Sequence, residues 1–217
     1  MMHMMATQTA TGRLYEIDTQ LRPDGASGML VSSLESFGHY QQNKAWTWEH
    51  QALTRARVIV GDAQLAGEFA RIRASVLARQ RDPEDLRRDI IEMRQKMRAA
   101  MGTKPAGNQA GKFHLKQDAG GMVDIEFIAQ YGVLANAATR PQLLQATATR
   151  KLLRALQQCG WLSETQADIL YNAYATYRQR SHQRALQEQS STLDGNEFAG
   201  LRAQVQQIWQ QIFSIKS

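Results

Sequence analysis

Asp82-Pro83-Glu84-Asp85-Leu86-Arg87-Arg88-Asp89-Ile90-Ile91-Glu92-Met93-Arg94-Gln95-Lys96-Met97 decides the fold class, because it carries the marks of an amphipathic helix from its first residue onward. Asp82 is a good N-cap, and Pro83 suits the first helical position, where an N–H has no partner inside the helix. Leu86, Ile90, Met93 and Met97 recur at steps of four and three, which predicts a narrow seam buried against other helices. The basic residues between Arg71 and Arg98 are interleaved with Asp82, Glu84, Asp85, Asp89 and Glu92, the pattern of a solvated face with i,i+4 pairs. That stretch has no stacking aromatic residue, which argues against a nucleic-acid surface.

Outward from this helix the chain keeps the same periodicity. Upstream, the spacing predicts helices over Ser33–Gln42, Trp46–Arg57 and Gln64–Arg79, the last two separated by Gly61-Asp62. Downstream, the glycines and proline of Met101–Gly111 predict a loop, and Phe113-His114-Leu115-Lys116 a short strand. Gln117-Asp118-Ala119-Gly120-Gly121 then leads into a helix over Met122–Asn136, whose N-terminus could receive an anion. Lys151–Gln158 closes at Gly160, and Ser163-Glu164-Thr165-Gln166 is a capping box, so a helical hairpin is expected. Leu170, Tyr174, Tyr177 and Ser181 mark the packing face of the long helix, and Leu201, Val205, Ile208 and Ile212 that of the final one. Tyr174, Tyr177 and Trp209 are expected in the core. The expected fold class is mostly α.

The first thirty residues differ. Met1-Met2-His3-Met4-Met5-Ala6 has the features of neither a secretory signal nor a transit peptide and reads as a helix entered midway. Arg13-Leu14-Tyr15-Glu16-Ile17-Asp18 alternates as a strand, with Leu14, Glu16 and Asp18 on one face. Two carboxylates there suit either a solvent-facing edge or a working site. Hydrophobic residues at 43% and charged ones at 21% fit a packed globular protein and exclude a disordered tail. A lone cysteine, Cys159, excludes an internal disulfide, and no apolar run is long enough to span a bilayer, so a cytoplasmic protein without membrane contact is expected. The net charge of +6 suits a phosphate-rich or acidic partner.

Three stretches together resemble the bacterial glutamine synthetase adenylyltransferase family. They are Leu14-Tyr15-Glu16-Ile17-Asp18 with Leu21-Arg22-Pro23 and Gly25; Trp48-Glu49-His50-Gln51-Ala52-Leu53-Thr54-Arg55-Ala56-Arg57; and Lys116 with Gly120-Gly121 and Asp124-Ile125-Glu126-Phe127-Ile128. The chain looks most like the later part of the adenylylating half, because Val123-Asp124-Ile125-Glu126 stands where the deadenylylating half tends to carry Arg-Glu-Ile-Glu. The resemblance implies an enzyme that transfers AMP from ATP to a tyrosine of glutamine synthetase with Mg2+, under control by glutamine and the PII signal protein. It implies a nucleotidyltransferase remnant with a short β element at 1–60 and a helical domain at 61–217.

The resemblance makes Asp18 the catalytic, metal-binding carboxylate, with Glu16 in support. Arg22, Lys116, Arg55 and Arg57 become candidate nucleotide-binding residues, and Glu49, Asp124 and Glu126 supporting ones. Glu49, Arg55 and Arg57 suit a structural network equally well, and Asp124 and Glu126 share a face only if their stretch is extended. The family's Gly-Ser-x-x-Asp-x-Asp turn is absent from the sequence and is expected upstream of Met1, so this chain alone is expected to be inactive. Gln20 and His114 depart from the family pattern. A helical interaction module and a basic nucleic-acid binder stay open as alternatives, the second with little support from the sequence.

Overall fold

A computed structural model describes Thr7, Gly12, Gly25 and residues 28–104 and 111–214. The strand expected at Arg13–Asp18 lies outside the described residues, as do Glu16, Asp18 and Arg22. The fold is mostly α: the described residues form eight α-helices, one 3-10 helix and a two-stranded sheet. They divide into two compact units, Met1–Ala45 and Trp46–Ser217. In the first, Ser33 caps α1 (Leu34–Asn43) by accepting from the Ser36 N–H at 3.1 Å.

The second unit is built around a helix that is buried on nearly every side. It comprises α2 (Thr47–Leu53), α3 (Ala63–Leu77), α4 (Pro83–Met101), β1 (Lys112–His114), α5 (Met122–Asn136), the 3-10 helix (Pro141–Gln145), α6 (Thr149–Gln158), α7 (Glu164–Leu186), β2 (Thr192–Asp194) and α8 (Ala199–Phe213). Twelve of the fifteen residues of α5 are buried. Such a helix has no face for water and must be surrounded; α2, α4, α6, α7 and α8 all pack on it. The helix caps read from the sequence are present. Asp82 accepts from the N–H groups of Glu84 and Asp85 at 2.9 and 3.0 Å, and Ser163 and Gln166 bond reciprocally.

Gly132 lets α6 approach α5. A methyl group there would lie 2.7 Å from Cζ3 of Trp161 and 2.8 Å from both methyls of Leu156. Helix propensity alone favours alanine by about 1 kcal/mol. Overpacking costs about 1–3 kcal/mol and should win. Gly132→Ala is therefore expected to lower the urea midpoint; a rise would mean that Trp161 and Leu156 move aside freely.

The structure differs from the sequence reading in three places. The helix expected over Trp46–Arg57 stops at Leu53, because the buried Arg73 takes the carbonyls of Leu53 and Thr54 at 3.0 and 2.6 Å. That helix packs on α3, α4 and α5 of the second unit. On α4, Leu86 and Ile90 are buried, but the third buried residue is Arg94 and not Met93 or Met97. Finally, β1 has a partner that the sequence did not announce: Phe113 stands opposite Leu193 in an antiparallel pair with β2. Phe113 meets the Tyr177 ring edge-on at 6.0 Å and lies under the Arg202 guanidinium at 3.9 Å.

Candidate functional site

Two polar nodes flank α5, and between them they account for most of the described residues singled out from the motifs. Because Asp124 and Glu126 are helical, they point apart, as the two-residue spacing requires.

Asp124 faces α4 and the loop 115–121. Its carboxylate accepts from Arg94 Nε at 2.5 Å, from Arg98 Nη2 at 3.3 Å and from the Gly120 N–H at 2.7 Å. The side chains of Arg94 and Asp124 are each only 1% exposed. Burial pulls the Arg94 guanidinium below its ordinary value, against the attraction of Asp124. Arg94 also reaches the Gln117 carbonyl at 2.7 Å. Asp118 fastens the other side of the loop, accepting from the Thr103 N–H, the Thr103 hydroxyl and the His114 N–H at 2.7–2.8 Å. Gly120 has φ +78°, and a Cβ there would lie 2.6 Å from the Arg202 carbonyl oxygen, so this turn requires glycine.

The loop spends its donors on itself. The N–H groups of Gly121, Met122 and Val123 bond the carbonyls of Asp118, Leu115 and Lys116 at 2.9–3.1 Å. With Gly120 N–H on Asp124, the start of α5 offers no free backbone donors of this set to an anion. The Lys116 side chain at this loop is exposed.

His114 locks the same loop. The N–H groups of Lys116 and Gln117 point at its Nδ1 at 3.2 and 3.3 Å, so that nitrogen accepts and the ring proton sits on Nε2. Burial pushes the His114 pKa below the usual 6.5, and the nearby Asp118 charge only partly opposes this. Between the lowered folded value and the ordinary unfolded one, the unfolded chain binds more protons. The His114 contribution is therefore fully present above about pH 6.5 and falls as the pH drops through the folded value. His114→Gln is expected to flatten the acid side of a plot of urea midpoint against pH; an unchanged slope would show that His114 is not its source.

Glu126 faces α2 and α7. Arg55 Nη1 and the Tyr174 hydroxyl both donate to its Oε1, at 3.0 and 2.7 Å. Burial, then the Glu126 charge, raises the Tyr174 pKa. Gln51 donates to Gln130 at 3.0 Å one turn further along α5. Tyr174 has its ring in the core, as its spacing suggests, but its hydroxyl belongs to this node. Glu49 is buried and closes α2 by accepting from the Trp46 N–H at 2.9 Å. Arg55 and Arg57 both lie exposed beyond the end of α2, so neither is helical.

Arg94, Arg98 and Asp118 were missed in the motif reading. The signal available was their chemistry in place: an arginine four residues after Ile90 on the buried stripe, and an aspartate two residues before a glycine pair. Among the described residues no three of His, Cys, Asp and Glu gather as a metal-binding group. No helix among them is long and apolar enough to cross a membrane.

A family model described as GlnD PII-uridylyltransferase matches residues 84–207, more than half of the chain. A second model, described as Glutamate-ammonia ligase adenylyltransferase, matches residues 1–72. Relatives called bifunctional glutamine synthetase adenylyltransferase/adenylyl-removing enzyme align almost end to end. Those of Pseudomonas syringae pv. tomato and Thioalkalivibrio sulfidiphilus are each 47% identical over 97% of this chain, and that of Nitrosococcus oceani is 43% identical over 100% of it. The chain belongs to the glutamine synthetase adenylyltransferase family. It spans about a fifth of the length of these relatives, 21–22%.

Proposed function

We propose that this chain is part of a cytoplasmic enzyme that transfers AMP from ATP to a tyrosine of glutamine synthetase and so regulates nitrogen assimilation. The observation that carries this is the continuous similarity, 47% identity over 97% of the chain, to relatives of that name. Asp18, supported by Glu16, is the proposed carboxylate for Mg2+, which offsets phosphate charge when bound. Arg22, Lys116, Arg55 and Arg57 are the proposed contacts to the nucleotide. Of these, Arg55 is held by Glu126, so its part is to position the Glu126 node unless the ion pair opens. Asp124, with Arg94 and Arg98, fixes the loop that presents Lys116. Glutamine and the PII protein are proposed effectors.

A second reading rests on the match of residues 84–207 to the PII-uridylyltransferase model: UMP transfer to PII. Full-length enzyme given labelled ATP with glutamine synthetase, and separately labelled UTP with PII, separates the two. Label on glutamine synthetase from ATP is expected. Label on PII from UTP alone would overturn the proposal in favour of the second reading.

A further inference from the structure

A cleft of about 790 Å³ opens between the 3-10 helix, α6 and α7. Its lining has one sign: Arg150, Lys151, Arg154 and Arg178 contribute to it, and no Asp or Glu does. Arg154 has a carboxylate partner in Asp168 at 2.6 Å. Among the described residues Arg150, Lys151 and Arg178 have none. The guanidinium groups of Arg150 and Arg154 lie over the same ring, 4.3 and 4.7 Å from the centroid of Tyr171, and Arg150 also donates to the Tyr171 hydroxyl.

The start of α6 adds to this charge. Its N-cap is Ala148, which has no side-chain acceptor, and Arg150 and Lys151 stand in its first turn. An acidic residue is the stabilising choice at that end, because the helix dipole is positive there. The chain instead gathers cations of one sign at an uncapped helix start and holds two of them on one aromatic ring. The like charges of this cluster repel one another within the folded chain, and a bound anion would relieve that repulsion.

We infer that this cleft docks an acidic segment of a partner protein, whose carboxylates meet Arg150, Lys151 and Arg178 beside the start of α6. Guanidinium forks match carboxylates in pairs of parallel hydrogen bonds. The rest of the polar wall is made by Gln142, Gln145 and Gln158, whose amides both donate and accept as a peptide backbone requires. A nucleotide fits less well, because the Tyr171 ring on which a base would stack already carries the two guanidinium groups. Arg150, Lys151 and Arg178 are exposed, which suits a steered encounter with a charged surface. This inference concerns binding and does not depend on the reaction proposed above.

The probe is a short fluorescein-labelled peptide alternating glutamate with glycine, titrated against the full chain by fluorescence anisotropy. R150Q/R178Q removes two cleft charges from exposed side chains. R88Q/K96Q removes two from α4 and controls for net charge. The cleft variant is expected to bind about tenfold more weakly, and the control about as well as the parent chain, with affinity falling as salt rises. Circular dichroism checks that both variants keep their helices. Equal losses in the two variants would assign binding to diffuse charge and overturn the inference. So would a peptide that does not bind the parent chain. Displacement of the peptide by ATP or by an oligonucleotide, lost in R150Q/R178Q, would overturn it in favour of a phosphate ligand.

Discussion

Asp124→Asn is expected to destabilise the fold by about 3–5 kcal/mol, the cost of leaving one member of a buried ion pair without its partner. The change keeps the side chain's size and removes its charge. Arg98 is 38% exposed and can turn to water, but Arg94 is 1% exposed and cannot. The Gly120 N–H, which donates to the same carboxylate at 2.7 Å, is weakened with it. Against a typical domain stability of about 5–15 kcal/mol, that loss is large enough to leave some of the chain unfolded at room temperature. Urea denaturation gives the measurement. A companion variant, Arg94→Met with Asp124→Leu, removes both charges and should recover much of the loss, since a buried pair is often replaceable by apolar side chains of similar volume. A cost below about 1 kcal/mol for Asp124→Asn would mean that water reaches Arg94 and that the pair does not organise the loop.

Asp18→Asn in the full-length enzyme is expected to lower AMP transfer by at least about a hundredfold, the scale of losing a major electrostatic stabiliser of a transition state. Asparagine keeps the shape of the side chain and gives up the charge that holds a cation. Because the substitution keeps the side chain's size, the melting temperature should stay near that of the parent enzyme. Turnover close to normal would show that Asp18 takes no part in the chemistry. Loss of activity together with loss of folded protein would point to a structural carboxylate instead.

Where the sequence was informative, local physics and tertiary structure agreed. Met122–Asn136 was readable to the residue because a glycine pair precedes it and its apolar composition leaves it no exposed face. Asp82, Pro83 and Ser163 announced their helix starts because capping is a short-range interaction. The failures share a cause, which is that the deciding partner is remote. Arg73 ends α2 from twenty residues away, and Arg94 is buried only because Asp124, thirty residues on, neutralises it. Three-residue strands such as Thr192–Asp194 carry too little alternation to be seen alone. At the site, the motif residues were found by resemblance, but their division into an Asp124 node and a Glu126 node needed the helix phase in three dimensions. Lys116 was chosen for its neighbouring glycines, and those glycines serve the protein's own turn.

The pairing of β1 with β2 bears on the order in which the chain folds. Phe113 and Leu193 are eighty residues apart in sequence, yet they face each other in a ladder extended by Leu115 N–H to Ser191 at 3.0 Å and Gly195 N–H to Gly111 at 2.7 Å. Closing so long a loop costs entropy that a few hydrogen bonds do not recover. The helices between must first fold back on each other through local contacts, which shortens the distance to be closed. The two strands then act as a clasp that shuts late, and protection of the Phe113 and Leu193 amides from solvent exchange should follow, in time, the packing of α5, α6 and α7.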